Sequence, residues 1–184
     1  NEELCLRLRV AYAEVRLGRY EQAATLVDSN LEGLPPWYRF LSSKLKARAY
    51  ESAGDLNTAL THLDINLGDG QAKAFDENAS AAAIVRRHEL LALTAPLCAS
   101  VGRPEQGKKA LSQVNEFVER FHHLPESVKD LAGVRVLSHY ASGLAVYDDR
   151  DRALELLQET LRIARQRGVA SHIRSTLNEL GILH

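Results

Sequence analysis

A chain of 184 residues can bury a sizeable core, as one compact domain or one short array. Its 23 basic and 24 acidic side chains leave a net charge of −1, which argues against the basic face that a grip on nucleic acid needs. The longest uncharged stretch, Leu90 to Gly102, is too short to span a bilayer and contains Pro96, and no signal peptide is expected.

Taken in order, the segments read as helices. Leu4, Leu6, Leu8 and Val10 alternate at a strand period, yet Leu4, Leu8, Ala11 and Val15 also share one helical face. Helix is favoured, because Ala11 to Leu17 continue the pattern and Gly18 ends it. The first pair is expected over Glu2–Leu17 and Tyr20–Glu32, closed by Gly33 and Pro35. Pro36 suits a helix start and opens Trp37–Ala53, which Leu56–Leu67 completes as a second pair. Trp37 and Tyr38 are expected to pack between these pairs. Gly68-Asp69-Gly70 stops that helix, and the polar residues 71–78 read as a longer loop. A third pair follows over Ala79–Val101, with a kink expected at Pro96, and Glu105–His122. The fourth is Glu126–Val146 and Asp151–Arg167, and Ala170–Leu180 begins another. Short links force neighbours to run antiparallel, and pairs too small to bury their own apolar faces stack. Residues 1–184 are thus expected to form a single array, in preference to a break after Gly70.

One phrase occurs twice. Leu17-Gly18-Arg19-Tyr20-Glu21-Gln22-Ala23 is echoed by Ala53-Gly54-Asp55-Leu56-Asn57-Thr58-Ala59, with the glycines 36 residues apart. Ala11, Gly18, Tyr20 and Ala23, with Pro35 at the close, and then Ala47, Tyr50, Gly54, Leu56 and Ala59, resemble the tetratricopeptide repeat (TPR) family. Small residues allow close helix approach and Gly allows the turn. A third copy is worn to Ala95, Gly102, Pro104 and Gly107. The fourth keeps Ala141 and Ala153, with Asp148 where the turn Gly belongs. The resemblance implies an all-α, right-handed superhelical array of antiparallel helix pairs, a TPR-like α-solenoid. Ala153 to Leu157 and Ala164 to Gly168 are similar to the last repeat of MalT-like transcription activators, a bacterial family whose helical array precedes a DNA-binding tail. The chain opens at Asn1 and holds no Met, as a fragment of a longer protein would.

Chemistry-bearing motifs are sparse. Gly102-Arg103-Pro104-Glu105-Gln106-Gly107-Lys108 fits the G-x-x-x-x-G-K part of a P-loop, but Lys109 stands where a Ser or Thr hydroxyl should hold Mg²⁺, and a helix precedes it instead of a strand. Seven histidines are scattered without a metal-ligand spacing, and those at helix ends read as solvated. Cys5 and Cys98 read as small apolar core thiols of a reducing compartment. Asp148, Asp149 and Asp151 suit a helix N-terminus. No catalytic residue, cofactor or metal is therefore expected.

Surface recognition remains. The resemblance places groove-facing positions at Leu8, Tyr12, Val15 and Arg16, then at Lys44, Arg48, Glu51 and Ser52. The third pair contributes Ala92, Ala99 and Ser100, and the fourth Arg135, Ser138, His139 and Ser142. The groove expected to bind is carried by Tyr12, Arg16, Lys44, Arg48, Glu51, Arg135 and His139, suited to an acidic or C-terminal peptide segment. Leu8, Tyr12 and Leu45 replace the Lys and two Asn of the carboxylate clamp in chaperone-binding TPRs, which disfavours chaperone tails. The expected function is a non-catalytic, cytoplasmic protein- or peptide-binding scaffold or regulatory module of a larger bacterial signalling or transcription-regulatory protein. The alternatives are a small-molecule effector sensor of the MalT-like kind and, behind it, a nucleotide-binding enzyme. Self-association through Ile173, Leu177, Leu180 and Ile182 is a further option.

Overall fold

The computed structural model describes residues 2–27, 34–67, 81–123, 126, 129 and 131–183. All regular structure among them is helical. The chain divides into two compact units, Asn1–Lys73 and Ala74–His184.

The first unit holds α1 (Glu2–Arg16), α2 (Tyr20–Leu26), α3 (Pro36–Ser52) and α4 (Leu56–Leu67). α1 packs on α2 and α3, α2 on α3, and α3 on α4. The helical phase expected for the opening segment holds: Leu8 and Ala11 are buried, whereas Leu6 and Val10, half of the strand-like set, are exposed. That phase also corrects the expectation for Cys5, which lies on the outward face and is exposed; Cys98 is buried. Tyr38 is fully buried, with Trp37 edge-on to its ring at 5.8 Å. α2 stops at Leu26, short of the expected Glu32. Val27 turns to extended backbone and buries its side chain, a conformation that a β-branched residue adopts readily. Residues 28–32, Gly33, the Gly68-Asp69-Gly70 stop and the loop expected over 71–78 lie outside the described residues.

The second unit holds α5 (Ala81–Ser100), α6 (Pro104–Glu119), a short 3₁₀ turn (Phe121–His123), α7 (Leu131–Val146), α8 (Arg150–Gln166) and α9 (Ala170–Leu183). α5 packs on α6 and α7, α6 on α7, α7 on α8 and α9, and α8 on α9. α5 continues through Pro96. α8 is strongly amphipathic: Ala153, Leu156, Leu157, Thr160, Leu161 and Ala164 are buried on one face. Thr160 satisfies its hydroxyl on the Leu156 carbonyl at 2.8 Å. Fully burying one such leucine is worth about 1.5–3 kcal/mol. α7 starts at Leu131 and not at Glu126, whose carboxylate instead lies 3.4 Å from Lys129 and 3.8 Å from Arg167. α9 runs three residues beyond the expected Leu180, to Leu183. There Arg150 donates from Nε to the Leu183 carbonyl at 2.8 Å, and from Nη2 as well, placing a cation at a helix C-terminus.

One turn is used five times. The second residue beyond α1, α3, α5, α7 and α8 has a left-handed backbone: φ is +77° at Gly18, +85° at Gly54, +76° at Gly102, +66° at Asp148 and +67° at Gly168. In the first turn Gly18 N–H donates to the Val15 carbonyl at 3.1 Å and Arg19 N–H to the Glu14 carbonyl at 2.9 Å. The same pair of bonds recurs in the other four, the Schellman arrangement that satisfies the last carbonyls of a helix. The residue after the turn accepts the first bond of the next helix, as Arg19 does from Ala23 at 3.0 Å. Asp148 is the only described non-glycine residue with positive φ. A short polar side chain tolerates that region better than most, which is how the worn fourth copy keeps its turn.

Candidate partner-binding surface

α1 and α3 are neighbours within the first unit, and each leaves both polar and apolar residues exposed. On α1 the phase that buries Leu8 and Ala11 leaves Tyr12 56% exposed and Arg16 exposed one turn later. On α3, Phe40 and Ala47 are buried, Lys44 is half-buried, and Arg48, Glu51 and Ser52 are exposed. Arg48 Nη1 lies 3.8 Å from Glu51 Oε2 in an i, i+3 pair. Exposed pairs of this kind are worth about 0–1 kcal/mol, so a partner's carboxylate can replace Glu51 at little cost. Leu8, expected among the groove positions, belongs to the core.

Arg135 and His139 lie in the second unit, both half-buried on α7. His139 Nε2 is 3.8 Å from Glu89 Oε1, a carboxylate of α5 that is 1% exposed. Ser138 and Ser142 donate to Glu179 Oε2 of α9 at 2.9 and 3.3 Å. This face of α7 is therefore linked to both flanking helices. Ala92 is fully buried and joins the core. Glu89 and Glu179 escaped the sequence reading, although Glu89 carries a visible signal: it is the one acid within the largely apolar Ala81–Ser100 helix.

Two of the scattered histidines, His62 and His88, sit on aromatic rings. His88 stacks on Phe117 with centroids 4.5 Å apart, and its Nδ1–H donates to the Ile84 carbonyl at 2.8 Å. Burial lowers its pKa, helped by the Arg87 charge, against the raising effects of that hydrogen bond and of Glu116. His62 stacks on Tyr50 at 5.3 Å, and burial, then the Lys46 charge, lowers its pKa.

The P-loop-like stretch forms a turn and the start of α6, and it follows helix α5. Gly107 is buried against Tyr147, whose hydroxyl donates to the Ala95 carbonyl at 3.2 Å. Lys108 is exposed and pairs with Glu105 at 3.0 Å. Among the described residues no three His, Cys, Asp or Glu side chains are grouped to hold a metal ion. None of the described helices is long and apolar enough to cross a membrane. Compared with family models, curated proteins and solved structures, the chain matches none of them.

Proposed function

We propose that each unit is a right-handed stack of TPR-like antiparallel helix pairs, and that the chain is a non-catalytic, cytoplasmic protein- or peptide-binding module of a larger bacterial signalling or transcription-regulatory protein. The observation that carries this reading is the recurrent turn. Four of its five copies are followed five residues later by a buried small residue: Ala23, Ala59, Gly107 and Ala153. A small residue there lets the second helix of a pair approach the first closely. Such a scaffold presents the first helix of each pair to a partner. In the first unit these are α1 and α3, with Tyr12, Arg16, Lys44, Arg48 and Glu51 on their outer faces. Tyr and Arg supply much of the binding energy at interfaces, and a guanidinium holds a carboxylate through two parallel bonds. The partner is accordingly an extended segment with acidic side chains or a free C-terminus. In the second unit Arg135 and His139 extend the same chemistry on α7.

A fluorescent library of acidic and C-terminal peptides, titrated against the chain, tests this. Arg48→Ala and Tyr12→Ala should each weaken the best peptide about tenfold or more while leaving the helical circular dichroism intact. Binding that survives both changes removes the surface assignment.

A further inference from the structure

α1 carries two apolar faces. On the inner one Leu8 and Ala11 are buried, and Leu4 and Val15 are half-buried. About 160° around the helix, Leu6, Val10, Ala13 and Leu17 are all exposed, Leu6 at 62% and Leu17 at 64%. Leu17 N–H still donates to the Ala13 carbonyl at 3.0 Å, so the last of the four keeps the helical phase. They recur at i, i+4, i+7 and i+11, the spacing of an apolar seam that packs against a second helix. The alternating Leu4, Leu6, Leu8 and Val10 thus divide between two faces of one helix. The seam lies about 110° around the helix from Tyr12 and Arg16, and is separate from the proposed partner surface. α9 also exposes Leu177 and Ile182, but five residues turn a helix by about 140°, so these two share no stripe.

The charges beside the seam say what covers it. In heptad positions Val10 and Leu17 fall at a, and Leu6 and Ala13 at d; a β-branched a residue with leucine at d favours two parallel strands. Glu2, Arg9 and Arg16 then border the seam at g, and Arg7 and Glu14 at e. In a parallel pair each g residue meets the e residue of the next heptad on the other helix. Glu2 therefore faces Arg7 of a second copy, and Arg9 faces Glu14. Both contacts are opposite in charge, and two-fold symmetry repeats each of them. Arg7 lies 2.6 Å from Glu3 and Arg19 lies 3.4 Å from Glu14, surface pairs that exchange partners at little cost. An antiparallel pair would instead set Arg9 against Arg16 of the second copy, like against like. The chain thus supplies the complement of its own seam.

We infer that the Leu6–Val10–Ala13–Leu17 face of α1 is a self-association surface, on which a second copy of this chain seats its own α1 in parallel. Four seam residues a side are far fewer than the about 20–30 of a standard interface, so the dimer is weak and reversible. The test is sedimentation velocity of the 184-residue chain from about 5 to 500 µM, in reductant because Cys5 is exposed. Wild type should pass from monomer to dimer with rising concentration. Val10→Glu should stay monomeric throughout with its helical circular dichroism intact, whereas Leu177→Glu should dimerise as wild type does. Arg9→Glu and Glu14→Lys each set like charges together and should weaken the dimer about tenfold or more. An equimolar mixture of those two variants restores opposite charge at every contact and should regain the wild-type dimer. A wild type that is monomeric at every concentration overturns the proposal and leaves the seam to another partner or another segment. Assembly that grows beyond the dimer marks a head-to-tail contact and also overturns it. So does an Arg9→Glu dimer tighter than wild type, the antiparallel outcome. If either charge variant loses its helical signal, Leu6→Cys in a Cys5→Ser background decides. Parallel pairing places the two copies of residue 6 in one layer, so a disulfide-linked dimer supports the proposal and its absence refutes it.

Discussion

Gly107→Ala exposes how tightly α5, α6 and α7 are drawn together. A methyl group built on Gly107 would lie 1.8 Å from Tyr147 Oη, 2.8 Å from its Cζ and 2.9 Å from the Ala95 carbonyl oxygen. The tyrosine tip can swing aside, but only by giving up its 3.2 Å bond to that carbonyl, a loss of about 1 kcal/mol. The carbonyl belongs to α5 and cannot move without shifting the helix, and overpacking of this kind costs about 1–3 kcal/mol. Alanine returns about 0.5–1 kcal/mol through its higher helix propensity. The net expectation is a destabilisation of about 1–3 kcal/mol, read from urea melts followed by circular dichroism. Tyr147→Phe removes both the nearest clashing atom and the hydrogen bond. In that background Gly107→Ala should therefore cost about 1 kcal/mol less, and the double-mutant cycle isolates the coupling. If Gly107→Ala is neutral or stabilising, as bare helix propensity demands, the close approach of α6 to Tyr147 and Ala95 is wrong.

The recurrent turn makes two opposite predictions. Gly54→Ala meets no atom within 4 Å, so its cost is purely the left-handed backbone, about 1 kcal/mol of lost stability in the same melts. Asp148→Gly relieves that conformation at φ +66° and should gain about 0.5–1 kcal/mol; a loss would show that the Asp148 side chain contributes something its turn geometry does not reveal. His88 introduces a pH dependence. Its pKa in the folded chain lies below the unfolded value of 6.5, so the unfolded state binds the extra proton first. The stability it contributes is complete above about pH 6.5 and is lost as pH falls toward the folded pKa. His88→Gln should flatten the fall in melting temperature between pH 7.5 and pH 5, and an unchanged slope would place the loss elsewhere.

How much of this was legible beforehand depends on whether the cause was local. The turns were legible because a left-handed residue after a helix leaves a mark in one dimension: Gly18, Gly54, Gly102 and Gly168 stand where the chain must bend, and Asp148 was recognised by spacing alone. The helical phase of α1 was likewise written in the i, i+4 spacing of Leu4, Leu8, Ala11 and Val15. The outer faces carrying Tyr12, Arg16 and Arg48 follow from those phases, so the candidate surface of the first unit was legible in outline. The fate of the two cysteines was not, since each sits in an apolar helical stretch. Only the face that α1 turns toward α2 and α3 leaves Cys5 outside, while α5 is surrounded closely enough to bury Cys98. Nor could spacing pair Glu89 with His139, or Ser138 and Ser142 with Glu179, because those partners are about 40–50 residues apart and meet only when helices pack. Lys46 of α3 belongs with them: it looks like an ordinary surface cation, yet it is 5% exposed once neighbouring helices pack on α3. By itself the sequence determined the turns after α1, α3, α5, α7 and α8, since hydrogen bonds between residues a few positions apart set those points, but it did not place the end of α2 at Leu26 or the start of α7 at Leu131. Tertiary structure alone decided which polar groups were taken from water and what each then faced, because desolvation depends on the elements that arrive from elsewhere in the chain.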